Sequence, residues 1–134
     1  MKEGIQMKKF LRILISVLIV IAIILAAGIF YITQGLESGK KIEIVGLDIS
    51  RIQDGEYNGK YESGRWSNEL IVTVNENKII GIQIVDDVKF AQPAVREELF
   101  SKVIEAQNTK VDTVAGATVT SKAYLKSIEN AFGN

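Results

Sequence analysis

The sequence predicts an α+β fold: an N-terminal transmembrane helix followed by a small antiparallel sheet with two packed helices. Three observations carry that expectation. Residues 13–32 form an apolar run without a single charge. Apolar and polar residues alternate on both sides of a turn-like Asn75–Glu76–Asn77–Lys78, the signature of a hairpin. Two later stretches carry apolar residues at the spacing of an amphipathic helix.

At a helical rise of about 1.5 Å per residue, the apolar run spans roughly 30 Å, the thickness of a bilayer's hydrocarbon core. Its least apolar members, Ser16 and Gly28, are tolerated in membrane helices. Lys2, Lys8, Lys9 and Arg12 precede it against one acid, Glu3, so the N-terminus is expected in the cytoplasm and the domain outside the membrane. A cleaved signal peptide is the competing reading, with Ala26, Ala27 and Gly28 as the small residues. The run is longer than an ordinary signal core, which favours the anchor.

The partition that follows is a basic flank and anchor at 1–32, a polar stalk at 33–50 and a folded domain at 51–134. Asp54–Gly55 opens the domain as a turn. Tyr57, Gly59 and Tyr61 share one face of a first strand. Leu70, Val72 and Val74 share the inner face of a second, with Ile71 and Thr73 opposite. Ile80, Ile82 and Ile84 belong to the return strand. Pro93 suits the first turn of a helix ending near Gln107, whose stripe holds Val95, Leu99, Phe100, Val103 and Ile104. A last helix, from about Thr118 to Phe132, buries Tyr124, Leu125, Ile128, Ala131 and Phe132.

Composition removes several chemistries. The chain of 134 residues has no cysteine and no histidine. Disulfides, thiol nucleophiles, imidazole-ligated haem, the usual zinc sites and a lipoprotein anchor are therefore out. The N-terminal flank holds four of the 16 basic residues and one of the 16 acidic ones, which leaves the domain mildly acidic. That is no footprint for nucleic acid. No convincing acid–base pair and no metal cluster stand out: Asp86–Asp87 reads as a solvated turn.

The informative segment is Asp112–Ser121, DTVAGATVTS. Gly116 and Ala117 keep side-chain bulk away from the backbone. Thr118, Thr120 and Ser121 place hydroxyls where a helix begins, and a helix start favours a phosphate. The same residues also serve as ordinary N-caps, so this pattern alone leaves both readings open.

The order of residues resembles the signature of the FMN-binding domain family: Asp112, two variable positions, Ala115, Gly116–Ala117, then Thr118. The DGEYNGKY opening, the VTVNENKIIGIQIV hairpin and the GATVTSKA continuation extend the similarity over most of residues 54–132. Ala115 departs from it, standing where many members carry Ser or Thr. The resemblance implies FMN as cofactor, joined through its phosphate to Thr118 by a separate flavin transferase that uses FAD and magnesium. Asp112 would serve that enzyme's recognition of the site. Gly116, Ala117, Thr120 and Ser121 would surround the phosphate, and the loop Phe90–Ala91–Gln92–Pro93 would line the flavin ring.

Trp66 has two readings, a flavin-ring contact or a lid on the small core. Lys122 either neutralises phosphate charge or faces solvent. The implied role is a membrane-anchored, extracytoplasmic electron carrier without catalytic residues of its own. Its partners would be membrane lipid, the transferase, and redox donor and acceptor proteins or quinones. The alternative is an anchored module for non-covalent FMN binding, sensing or assembly. A flavin reductase is disfavoured, since no nicotinamide fingerprint is present.

Overall fold

The computed structural model describes residues 2–133. The chain divides into two compact units, Met1–Thr33 and Gln34–Asn134.

The first unit is one helix, α1 (Lys2–Thr33), with no buried residue among those described. It is long and apolar enough to cross a membrane by length and composition. Two of its hydroxyls are satisfied internally: Ser16 Oγ donates to the Arg12 carbonyl at 2.9 Å and Thr33 Oγ1 to the Ile29 carbonyl at 2.8 Å. Such back-bonding removes a polar cost that hydrocarbon surroundings would otherwise impose.

The second unit contains a three-stranded antiparallel sheet, order β1–β2–β3: β1 (Gly55–Tyr61), β2 (Asn68–Asn75) and β3 (Lys78–Asp86). The β2–β3 hairpin closes through Glu76 and Asn77 alone, both at positive φ (51° and 59°). Paired positive φ values match the right-handed twist of the flanking strands. Leu70, Val72 and Val74 face inward as the alternation predicts.

The return strand departs from the pattern. A register shift stands at Thr73/Val74, where Val74 pairs with Ile79 and Thr73 with Gly81. This bulge turns Ile79 into the core at 1% exposure and leaves Ile80 58% exposed, whereas Ile82 and Ile84 remain half-buried. The Gln107 side chain dresses the bulge, accepting from Ile79 N–H at 2.7 Å and donating to the Ile79 carbonyl at 2.9 Å.

Helices α3 (Pro93–Ala106) and α4 (Thr118–Ala131) complete the core. Pro93 stands in the first turn of α3, where its missing N–H has no helical partner to lose. Helix α4 packs on β1 and β2. It approaches β1 at Gly59, where a Cβ would stand 1.9 Å from the Ser127 carbonyl oxygen. Only a residue without a side chain permits that approach.

Residues 34–50 are not a free stalk. They include a short helix, α2 (Leu36–Lys40), and a 3₁₀ turn at Ile49–Arg51. Leu36, Ile44 and Leu47 pack against the core, and Ile49 is buried in it. The segment reads as a linker because those apolar residues are scattered among polar ones, and the rest of its docking is through its backbone. Gly46 N–H donates to Glu129 Oε1 at 2.8 Å and Leu47 N–H to Asn108 Oδ1 at 3.2 Å. Glu129 is fully buried and satisfied, also accepting from Thr109 Oγ1 at 2.8 Å and Lys126 Nζ at 3.2 Å.

Candidate functional site

The segment before α4 folds into a β-turn. Ala117 N–H donates to the Val114 carbonyl at 3.0 Å, with Gly116, the turn's third residue, at φ +77°. That backbone region favours glycine, and space for 4 Å around a Cβ at Gly116 is empty. The turn is fastened from below. Val114 is buried, and its N–H donates to the fully buried Ser121 Oγ at 3.1 Å.

Helix α4 starts without a side-chain cap. Its N-cap position is Ala117, so Thr118 is the first helical residue and not the cap. The N–H groups of a first turn have no helical acceptor, and the Ala117 side chain at the N-cap supplies none. Thr118 is exposed, Thr120 half-buried.

Two adjoining hollows lie over this turn and share Arg65, Gly116, Ala117 and Thr120 as walls. One, of about 200 Å³, is completed by Phe90, Gln92 and Val95. The other, of about 360 Å³, is completed by Leu36, Trp66, Thr118 and Val119. The facing wall comes from the 3₁₀ turn Gly64–Trp66. There the Arg65 guanidinium lies 4.1 Å from the Trp66 ring centroid and 5.8 Å from that of Phe90. A cation over aromatic faces is held electrostatically by the ring quadrupoles.

The loop carrying Phe90 is pinned at two points. Lys89 N–H donates to the Arg65 carbonyl at 2.8 Å. Asp87 accepts from Tyr124 Oη at 2.5 Å, from Val88 N–H at 2.8 Å and from Arg96 Nη1. Asp87 is thus a bridge between β3, α3 and α4, not a solvated turn residue. Burial, then the neighbouring carboxylate, pushes the Tyr124 hydroxyl well above its ordinary value, so it stays a proton donor. Directly after these pins Phe90 adopts φ +58° and is 69% exposed. A bulky residue in that region is strained, a feature concentrated at functional sites.

Of the residues singled out in the sequence, the fold gathers Gly116, Ala117, Thr118, Thr120 and Trp66 around the hollows. Trp66 is 3% exposed and belongs to the core, with Arg65 over its ring. Ser121 lies beneath the turn. Pro93 lines neither hollow, although Gln92 and Val95 beside it do. Asp112 is exposed and borders a separate surface depression with Lys102, Glu105 and Lys110. Lys122 Nζ donates to the Lys40 carbonyl at 3.3 Å. Among the described residues no cluster suits a metal ion.

Arg65 is the residue that the sequence reading passed over. Nothing in GRWSN distinguishes it from any surface arginine until the fold brings residues 65 and 116 to one cavity. The donor set fits FMN: free helix-start amides, an open glycine turn and a guanidinium suit a phosphate, while aromatic surface borders the same cavities.

A family model described as the FMN-binding domain matches residues 64–133, from the turn carrying Arg65 to the end of the last helix. The chain is 32% identical over 85 residues to the NADH:acrylate oxidoreductase of Vibrio harveyi, covering 60% of this chain and 8% of that protein. It is 31% identical over 83 residues to an uncharacterised protein of Treponema pallidum (strain Nichols), covering 60% of this chain and 23% of that one. The chain therefore spans less than a quarter of either relative's length.

Proposed function

The chain belongs to the FMN-binding domain family, and on that premise we propose that it is a membrane-anchored electron carrier with FMN joined to Thr118 by a phosphoester. The observation that carries this reading is the position of Thr118. It is an exposed hydroxyl on the first residue of an uncapped helix, directly after the open Gly116–Ala117 turn, on a cavity wall shared with Arg65.

FMN, when bound, supplies the redox chemistry; the protein tethers it, orients it and sets its surroundings. The free amides of the first turn and the Arg65 guanidinium would hold the phosphate. The O–P bond to Thr118 would form as the pyrophosphate bond of FAD breaks, with AMP leaving and the hydroxyl proton released. A flavin transferase would do this work, and exposed Asp112 is available to it at the neighbouring surface. A covalent link suits a cofactor outside the cytoplasm, where a dissociated flavin is lost. The basic residues before the apolar part of α1 support that orientation. Electrons would pass to and from redox proteins or quinones.

Co-expression with a flavin transferase should add the mass of one FMN less one water to the chain. Thr118→Ala should abolish the adduct with the fold intact, and Thr120→Ala should keep it. A peptide map with FMN on Thr120 would move the attachment point. No adduct, beside a modified control protein, would favour the non-covalent or sensing module. Protease added to intact spheroplasts should remove the domain; full protection would reverse the orientation.

A further inference from the structure

Helix α2 and the residues before it dock against both walls of the cofactor cavity, through three glycines. A Cβ on Gly35 would stand 2.6 Å from Ser63 Oγ and 2.7 Å from the Ser63 carbonyl oxygen. On Gly64 it would stand 2.1 Å from the Gln34 carbonyl oxygen, and on Gly39 it would stand 2.4 Å from Val119 Cγ1. Residues 34–39 therefore touch the strand-end turn that carries Arg65 and Trp66, and also the first turn of α4 that carries Thr118. Gly39 is buried there. The bond from Lys122 Nζ to the Lys40 carbonyl holds the far end of α2 against α4. Leu36 lines the cavity beside Trp66 and Thr118. All of α2 lies outside the residues that the family model matches.

We propose that α2 is the closing wall of the flavin cavity, with Leu36 as a positioning residue that keeps water from the bound cofactor. This rests on the FMN reading of the site. Leu36 contributes no polar atom, so its contribution is exclusion of solvent and not binding of the phosphate. Gly39 sets how closely that wall approaches. Because α2 follows α1 in the chain, the segment leaving the apolar helix is part of the cofactor site itself.

The test uses the full chain in detergent, loaded with FMN by a transferase, and reads collisional quenching of flavin fluorescence by iodide. Gly39→Leu and Leu36→Ser should each raise the quenching constant severalfold while the adduct mass and far-UV circular dichroism stay native. Gly81→Ala, where a Cβ meets nothing within 4 Å, should match the wild type. Unchanged quenching in both loaded, folded variants would overturn the proposal. Hydrogen exchange on the flavin-free chain separates this failure from failure of the FMN reading. Slow exchange at the Gly39, Lys41 and Ile42 amides, which donate to the Gly35, Ser38 and Gly39 carbonyls, lost in Gly39→Leu, supports the docked wall whether or not FMN is taken up. Equally fast exchange in both chains overturns it.

Discussion

Ser121 Oγ accepts the Val114 N–H at 3.1 Å across the base of the turn that presents Thr118. Both partners are buried, Ser121 completely. The bond separates two hydroxyls that are close in sequence: one faces the cavity and the other builds the turn beneath it.

Ser121→Ala should therefore act through the turn. It leaves the Val114 amide buried without an acceptor, a loss of about 1–3 kcal/mol in unfolding free energy. Chemical denaturation reads that loss, and hydrogen exchange at Val114 should rise with it. Flavin attachment should slow but persist, since Thr118 is untouched. A variant as stable as the wild type, with Val114 still protected, would remove this role from Ser121.

Gly59→Ala should be among the most damaging small substitutions in the sheet. Its Cβ would enter backbone, the Ser127 carbonyl at 1.9 Å, with Ala131 Cβ at 2.9 Å. Neither can rotate away, so α4 must shift off β1. Overpacking costs about 1–3 kcal/mol where neighbours can yield, and the upper end or beyond is expected here. Gly81→Ala provides the comparison, with open space at the same kind of strand position. Similar denaturation midpoints for the two would contradict the close approach.

Much of this architecture was legible because local pattern and tertiary packing agree. Leu70, Val72 and Val74 face the core as alternation requires, and α3 and α4 occupy the stretches with helical periodicity. Ile80 lies in the return strand as expected, but the burial of Ile79 was not legible, because a bulge adds a residue to the strand and alternation cannot register an insertion. The segment at 34–50 looked like a linker because its few core-packing residues, Leu36, Ile44, Leu47 and Ile49, are scattered among polar ones, and its other anchors are glycine contacts and backbone N–H groups, which carry no hydrophobic signal. In the candidate site, Gly116–Ala117–Thr118 is contiguous and therefore readable. The Phe90–Pro93 loop was singled out by the resemblance, and Phe90 and Gln92 of it line the cavity; Arg65 and Leu36 reach the same cavities from distant parts of the chain, and Asp87 shows its role only beside Arg96 and Tyr124.

That last network makes stability depend on pH in the alkaline range. The folded state holds the Tyr124 proton more tightly than the unfolded chain, through burial and then Asp87. The stabilisation is complete below the unfolded tyrosine value of about 10 and is lost as pH rises from there towards the higher folded value. The wild type should therefore lose unfolding free energy above about pH 10 more steeply than Tyr124→Phe. At neutral pH Tyr124→Phe should itself cost about 1–3 kcal/mol, because a hydrogen bond to a charged carboxylate is lost. Parallel alkaline profiles for the two chains would show that Tyr124 ionises as freely in the fold as outside it.

Arg65 yields the sharpest test of how the cavity divides its labour. Its guanidinium lies over Trp66 at 4.1 Å and nearer to it than to Phe90 at 5.8 Å, and it borders both hollows together with Gly116 and Thr120. A planar cation in that position can serve an anion at its edge while its face rests on the indole. Removing it should weaken recognition of a phosphate far more than recognition of an uncharged ring. The measurement uses the Thr118→Ala chain, which forms no ester, titrated with free FMN and with riboflavin. Arg65→Leu in that background should weaken FMN binding about 10- to 100-fold, as expected for one charge-assisted hydrogen bond of about 1.5–3 kcal/mol. Riboflavin, which lacks the phosphate, should bind with similar affinity to both chains. Arg65→Lys should fall between them, because an ammonium keeps the charge but not the flat contact with Trp66. Equal losses for FMN and riboflavin would instead make Arg65 a wall for the flavin ring, and leave the helix-start amides as the phosphate's main partners.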